Sequence, residues 1–189
     1  DKLPASGYGS TSNSCAIVRA HYSTWDGVAM AYEGFFYWDD WNKYLEVEDE
    51  RGMAKYMKTG SIMFMLKGAD HSKKSLNLFK EIGVEHEIWD LETLKKKMPI
   101  YSHDSYNGTS RPDEDDSFFD KSGDQIEGAV WTPGSGYVSD PQLATHNLQV
   151  ATEAKGGEFL FDAEITEIRQ SNGQIQGVTL KSGEQIDCK

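Results

Sequence analysis

The sequence predicts an α/β fold. Runs with helical period at 27–44, 72–82, 90–98 and 140–156 alternate with short apolar strand-like runs at 56–66, 87–89 and 128–131. From Glu158 onward the text is β, with turn pairs at Asn172-Gly173 and Ser182-Gly183. The 189 residues are 38% hydrophobic, which suits one domain or two small interleaved ones.

The elements follow in chain order. Residues 5–14 form a loop of Ser, Gly, Thr and Asn. From Gly27 to about Tyr44, Ala31, Phe35, Trp38 and Trp41 recur at spacings of three to four, as the core-facing stripe of a helix does. Tyr56 to Leu66 reads as one strand, and Ser61 to Leu66 is apolar enough to be buried. Leu76, Phe79 and Ile82 share a face of a helix over 72–82, with Gly83 suited to its C′ position. Glu87-Ile88-Trp89 is a short strand; Asp90 caps a helix through Met98 that Pro99 stops. Residues 102–127, with Asn107-Gly108, Pro112 and a run of acids, read as the least regular stretch. Gly128 to Trp131 resumes a strand. Asp140-Pro141 supplies an N-cap carboxylate and Pro at N1 for a helix ending at Gly156-Gly157. Phe159-Leu160-Phe161, Ile165–Ile168, Ile175–Leu180 and Ile186 are then β.

Charge narrows the partners. Nineteen basic against 31 acidic residues give a net charge of −12, which repels nucleic acid and anionic membrane surfaces. No stretch approaches the roughly 18 apolar residues of a membrane span, and nothing at Asp1-Lys2-Leu3-Pro4 resembles a signal peptide. A cytoplasmic setting with reduced Cys15 and Cys188 is the expectation. Neither the cysteines nor His21, His71, His86, His103 and His146 make a zinc spacing. An EF-hand with its glycine at Gly123 needs acids where Phe118 and Ala129 stand, so the run around Asp120 is a solvated acidic loop.

Two segments carry candidate chemistry. Gly7-Tyr8-Gly9-Ser10-Thr11-Ser12 begins like the dinucleotide fingerprint G-x-G-x-x-G, but Ser12 replaces its last glycine and no strand precedes it. It reads as a plain loop or as hydroxyls and N–H groups presented to an anion. Arg19-Ala20-His21-Tyr22-Ser23-Thr24 gathers a carboxylate-clamping guanidinium with groups that donate hydrogen bonds or protons near neutral pH. The alternative is a helix-end cluster with ordinary hydrogen bonds.

Gly9 through Ser23 closely resembles a segment of the D-amino-acid oxidase/sarcosine oxidase superfamily that runs beside FAD. A second stretch, Tyr137 to Leu143 followed by Phe161 to Ile168 and Gly177 to Leu180, is similar to that family's return into its FAD domain. The resemblance implies a partial FAD-binding, parallel-sheet domain (1–44 and 132–189) with an inserted, mainly antiparallel β substrate domain (45–131). It implies that Ser10, Thr11 and Ser12 lie near FAD phosphates or ribitol and that Ile165 touches adenine through its backbone. Arg19, His21 and Tyr22 would face flavin or substrate, with Arg19 binding a substrate carboxylate. The family also includes members with flavin attached covalently through His or Cys; no specific signal for that stands in this sequence, and Cys15 and His21 are only nearby candidates. The implied reaction is hydride transfer from the CH–NH group of an amine or amino acid to flavin, of the sarcosine oxidase or dimethylglycine dehydrogenase kind.

The family's fingerprint glycines would precede Asp1, and its later flavin-contacting loops would follow Lys189. The chain therefore reads as a piece of something longer, or one completed by a partner chain supplying the missing FAD-binding segments. Two rivals stand beside this reading. One is a non-catalytic acidic α/β subunit that pairs with such a partner through exposed sheet edges. The other is a flavoenzyme for a hydroxy acid such as glycerol 3-phosphate, less attractive because Arg19 and Arg111 are nearly the only cations in plausible pocket positions.

Overall fold

The computed structural model describes residues 1–68, 70–107 and 111–188. Its elements run β1 (Ile17–Val18), α1 (Trp25–Asp39), α2 (Trp41–Leu45), β2 (Tyr56–Met57), β3 (Ser61–Met65), α3 (Asp70–Ile82), β4 (Glu87–Asp90), α4 (Leu91–Lys97), β5 (Asp104–Tyr106), β6 (Lys121–Gln125), β7 (Gly128–Thr132), β8 (Gly136–Val138), α5 (Pro141–Ala154), β9 (Ile165–Ser171), β10 (Gln174–Leu180) and β11 (Gln185–Asp187). They form two compact units. One comprises 1–16, 40–56 and 138–189, the other 17–39 and 57–137.

In the second unit the strand order β3-β7-β4 builds the central sheet. Val130, Met63 and Met65 pack with Phe79 of α3 and Val28 and Phe35 of α1 in one apolar cluster. Ala129, Trp131, Ile62 and Trp89 pack with Leu94 of α4 in another. The alternation assigns these to opposite faces, so β7 is covered on both sides. That is why Gly-Ala-Val-Trp-Thr reads as a continuous apolar run rather than an alternating one.

In the first unit Asp140 caps α5, its carboxylate accepting from the Leu143 N–H at 2.9 Å, with Pro141 opening the helix. β9, β10 and β11 form a meander. Asn172 and Gly173 close its first hairpin, both at the positive φ that a two-residue turn requires (51° and 76°).

Several expectations are corrected. The pairings β1·β8, β3·β7, β4·β7, β5·β6, β9·β10 and β10·β11 are all antiparallel. The expected parallel sheet is therefore not formed among these pairings. For β9·β10, joined by the two-residue turn Asn172-Gly173, there is no other choice, because a parallel pair needs a crossover of a dozen residues or more. The single helix over 27–44 is two helices, broken where Asp40 leaves helical geometry (φ −126°, ψ 45°). The single strand over 56–66 is β2 and β3, separated at Lys58–Gly60. The stretch 102–127 contains the β5·β6 pair; Gly108 of the expected Asn107-Gly108 turn lies outside the described residues, as does Lys189.

Candidate active site

β1 delivers Arg19, Ala20, His21 and Tyr22 at its C-terminal end. Ala20 is fully buried and His21 nearly so, while Arg19 and Tyr22 are exposed. The chain turns tightly here, the Tyr22 N–H donating to the Ala20 carbonyl at 2.9 Å. Arg19 Nη1 donates to the His21 carbonyl at 2.6 Å, and its guanidinium lies 5.3 Å from the centre of the Tyr22 ring. No carboxylate among the described residues pairs with Arg19. Among the described arginines, Arg111 and Arg169 pair with carboxylates and Arg19 and Arg51 do not; Arg19 differs in being bound to the turn that follows it, with most of its five N–H donors unused.

His21 is held differently. Its Nε2 lies 3.0 Å from Thr132 Oγ1 at the end of β7, and its ring rests against Phe79 of α3 with centroids 5.4 Å apart. Burial, then the nearby Arg19 and His71 charges, lower its pKa from 6.5 to about 4. The imidazole is therefore neutral at pH 7. It offers a hydrogen bond there, not the proton donation that its unperturbed pKa suggests. Ser75 of α3, also fully buried, donates from Oγ to the Tyr22 carbonyl at 3.1 Å.

The other candidate residues lie in the first unit. Ser10, Thr11 and Ser12 are exposed, and a short 3-10 turn spans Thr11–Asn13. Ser12 and Asn13 both donate side-chain hydrogen bonds to the Gly9 carbonyl at 3.1 Å. The Gly9, Ser10 and Thr11 N–H groups and the Ser10 and Thr11 hydroxyls have no acceptor among the described residues. A donor-rich loop of this kind fits phosphate or ribitol oxygens. Ile165 opens β9 opposite Leu180 and is more than half exposed. Arg19, His21 and Tyr22 thus belong to one unit, and Ser10, Thr11, Ser12 and Ile165 to the other. Cys15 and Cys188 are free and exposed.

No motif or spacing points to Thr132, to Ser75 or to a polar network in the first unit. There the Asp49 carboxylate accepts from His146 Nδ1 at 2.5 Å, Asn147 Nδ2 at 2.8 Å and the Arg51 N–H at 2.9 Å. Burial opposes its ionisation, but these donors outweigh burial and hold its pKa below the ordinary aspartate value. Fully buried Asn147 also accepts from Trp41 Nε1 and the Ala54 N–H. His146, expected on the surface or as a satisfied core histidine, is satisfied here. It lines a cleft of about 600 Å³ with Tyr8, Arg51, Asp140, Gln142 and Phe161. Among the described residues no group of His, Cys, Asp and Glu could hold a metal, and no helix is long and apolar enough to cross a membrane.

The family model described as "FAD dependent oxidoreductase" matches residues 1–188. Among solved structures, L-proline dehydrogenase from P. horikoshii is similar with a TM-score of 0.68 at 19% identity, over 95% of this chain and 41% of that one. Glycine oxidase from Geobacillus kaustophilus gives 0.66 at 17% identity, over 99% and 45%. L-amino acid deaminase from Proteus myxofaciens gives 0.61 at 14%, over 92% and 34%. At these identities the likeness is one of fold, and the chain spans less than half the length of each. No curated protein matches in sequence.

Proposed function

This chain belongs to the family of FAD-dependent oxidoreductases, and from that premise we propose that its protein oxidises the CH–NH bond of an amino acid or a carboxylated secondary or tertiary amine. The observation that carries the reading is Arg19, an exposed guanidinium with no carboxylate partner among the described residues and its geometry restrained by the turn that follows it. A substrate carboxylate completes the pairing that the chain leaves open, through two parallel N–H···O bonds. Tyr22 flanks the same cation with an aromatic face and a hydroxyl.

Ser10 and Thr11 would hold FAD through the free N–H and hydroxyl donors of their loop, Ser12 would lie beside it with its own donors turned to the Gly7 and Gly9 carbonyls, and Ile165 would meet the adenine. Bound FAD supplies the acceptor for two electrons. The protein's part is to bind the amine by its carboxylate and to fix its α-carbon in one orientation. Loss of hydride from a carbon bonded to nitrogen, with a proton from nitrogen where it carries one, gives an imine or iminium that water hydrolyses. L-proline dehydrogenase and glycine oxidase, named for carboxylated amines, favour this class of substrate; sarcosine and dimethylglycine belong to it.

Replacing Arg19 with Ala tests the reading. The loss of a charge-assisted bidentate pair, about 3 kcal/mol, should raise KM for carboxylated amines roughly a hundredfold. KM for an amine without a carboxylate should not move. Equal KM values for Arg19→Ala and the parent on a carboxylated amine would remove Arg19 from substrate binding.

A further inference from the structure

The turn that carries Arg19 is fastened by two buried hydroxyls on separate elements. Thr132 ends β7 and is wholly inaccessible. It sits in a strand whose other residues, Gly128 to Trp131, are apolar or glycine. A hydroxyl at such a place costs stability unless it finds a partner. Its partner is His21 Nε2 at 3.0 Å, 111 residues away in the chain. Ser75, equally inaccessible on α3, donates to the Tyr22 carbonyl. Between these two anchors the His21 carbonyl accepts from Arg19 Nη1 at 2.6 Å.

His21 is thus gripped by its ring and loaded through its carbonyl. Its burial against Phe79 keeps the ring neutral, so the bond to Thr132 is made without a charge. The sheet and the helix hold the turn, and the turn holds the guanidinium. Valine in place of Thr132 would keep the shape and remove only the bond.

We infer that Thr132, with Ser75 in support, is a positioning residue that sets affinity for carboxylated substrates by holding the Arg19 turn through His21. This rests on the reading of Arg19 as the carboxylate site. A placed guanidinium binds without first being ordered; a loosened one gives up part of its binding energy to that ordering.

The test compares the parent, Thr132→Val, Thr132→Ser, Ser75→Ala, Arg19→Ala and the Thr132→Val/Arg19→Ala double variant. Each is read by KM for a carboxylated and an uncarboxylated amine with FAD supplied, and those that keep Arg19 are read also by titration of its side-chain ¹⁵N resonance with sodium acetate, which needs no turnover. Thr132→Val should raise KM for the carboxylated amine and the acetate Kd about tenfold. The uncarboxylated amine should be unaffected, and Thr132→Ser should restore the parent values. In the Arg19→Ala background Thr132→Val should add nothing to KM, because its effect passes through the guanidinium. Should Thr132→Val fail to fold, Ser75→Ala decides by the same readouts. If Arg19→Ala leaves KM unchanged, the carboxylate reading falls and this inference with it. If Arg19→Ala acts as expected while Thr132→Val and Ser75→Ala bind acetate like the parent, the reading of Arg19 stands and the positioning role is wrong. An equal rise for both amines would also overturn it.

Discussion

Acidification should weaken the fold through His21, in a window above the one that Asp49 occupies. The folded-state pKa of about 4 lies below the unfolded value of 6.5. Between those values the unfolded chain binds the proton and the folded chain does not, so stability falls as pH falls. At about pH 7.5 neither state is appreciably protonated. At about pH 5 the unfolded imidazole is nearly all protonated and the folded one only to about a tenth, which gives a loss of about 2 kcal/mol. Asp49 acts elsewhere. Its folded pKa is depressed below 3.8, so its contribution is present above that value and is lost only as pH falls through the lower one. Urea unfolding at the two pH values, for the parent and for His21→Gln, isolates the histidine. The parent should lose about 2 kcal/mol more than the variant between them. The ring itself, followed by proton NMR, should titrate near 4. A ring midpoint near 6.5, or equal losses for the two proteins, would mean that His21 is not sealed against Phe79 and Thr132.

Two further outcomes test the packing of each unit. A Cβ at Gly60 would stand 1.9 Å from the Trp131 ring, at a φ of +72°. Gly60→Ala should therefore cost well over about 2 kcal/mol in urea unfolding, whereas Gly83→Ala, at φ +85° with nothing within 4 Å, should cost only about 1–2 kcal/mol of backbone strain. Asn147→Ala strands Trp41 Nε1 and the Ala54 N–H and takes one donor from buried Asp49. A loss of about 4 kcal/mol in the same assay is expected; a loss below about 1 kcal/mol would mean that water replaces the amide.

Local signals reported the fold well where local physics decides it. The Asp90 and Asp140 caps, the proline opening α5 and the Asn172-Gly173 hairpin each act within a few residues, and each appears where expected. The failures have tertiary causes. Trp41 keeps helical spacing with Trp38, so periodicity alone runs α1 into α2; the break at Asp40 falls where the chain passes from one unit to the other. The strand β6 is Lys-Ser-Gly-Asp-Gln with every residue exposed, so it has no apolar face to betray it. The parallel sheet came from the resemblance alone, and turns as short as Asn172-Gly173 already pointed the other way.

The candidate site divides along the same line. Arg19, His21 and Tyr22 are neighbours in sequence, and their residue types were enough to single them out. What each does is decided by partners far along the chain. His21 looks like a proton donor until Thr132 and Phe79 close over it. Thr132 looks like the last residue of an apolar strand until its register with Ser61 makes it a buried hydroxyl in need of a partner. Arg19 is the reverse case. Its significance is that it lacks a carboxylate partner among the described residues, a fact visible only once the other side chains are in place. A group that the fold leaves unpaired at an exposed position is available to a ligand, whereas one that the fold buries and pairs, as with His21, is available only to hold its neighbour. Pairing and burial, more than residue type, are the grounds on which we propose binding for Arg19 and placement for His21.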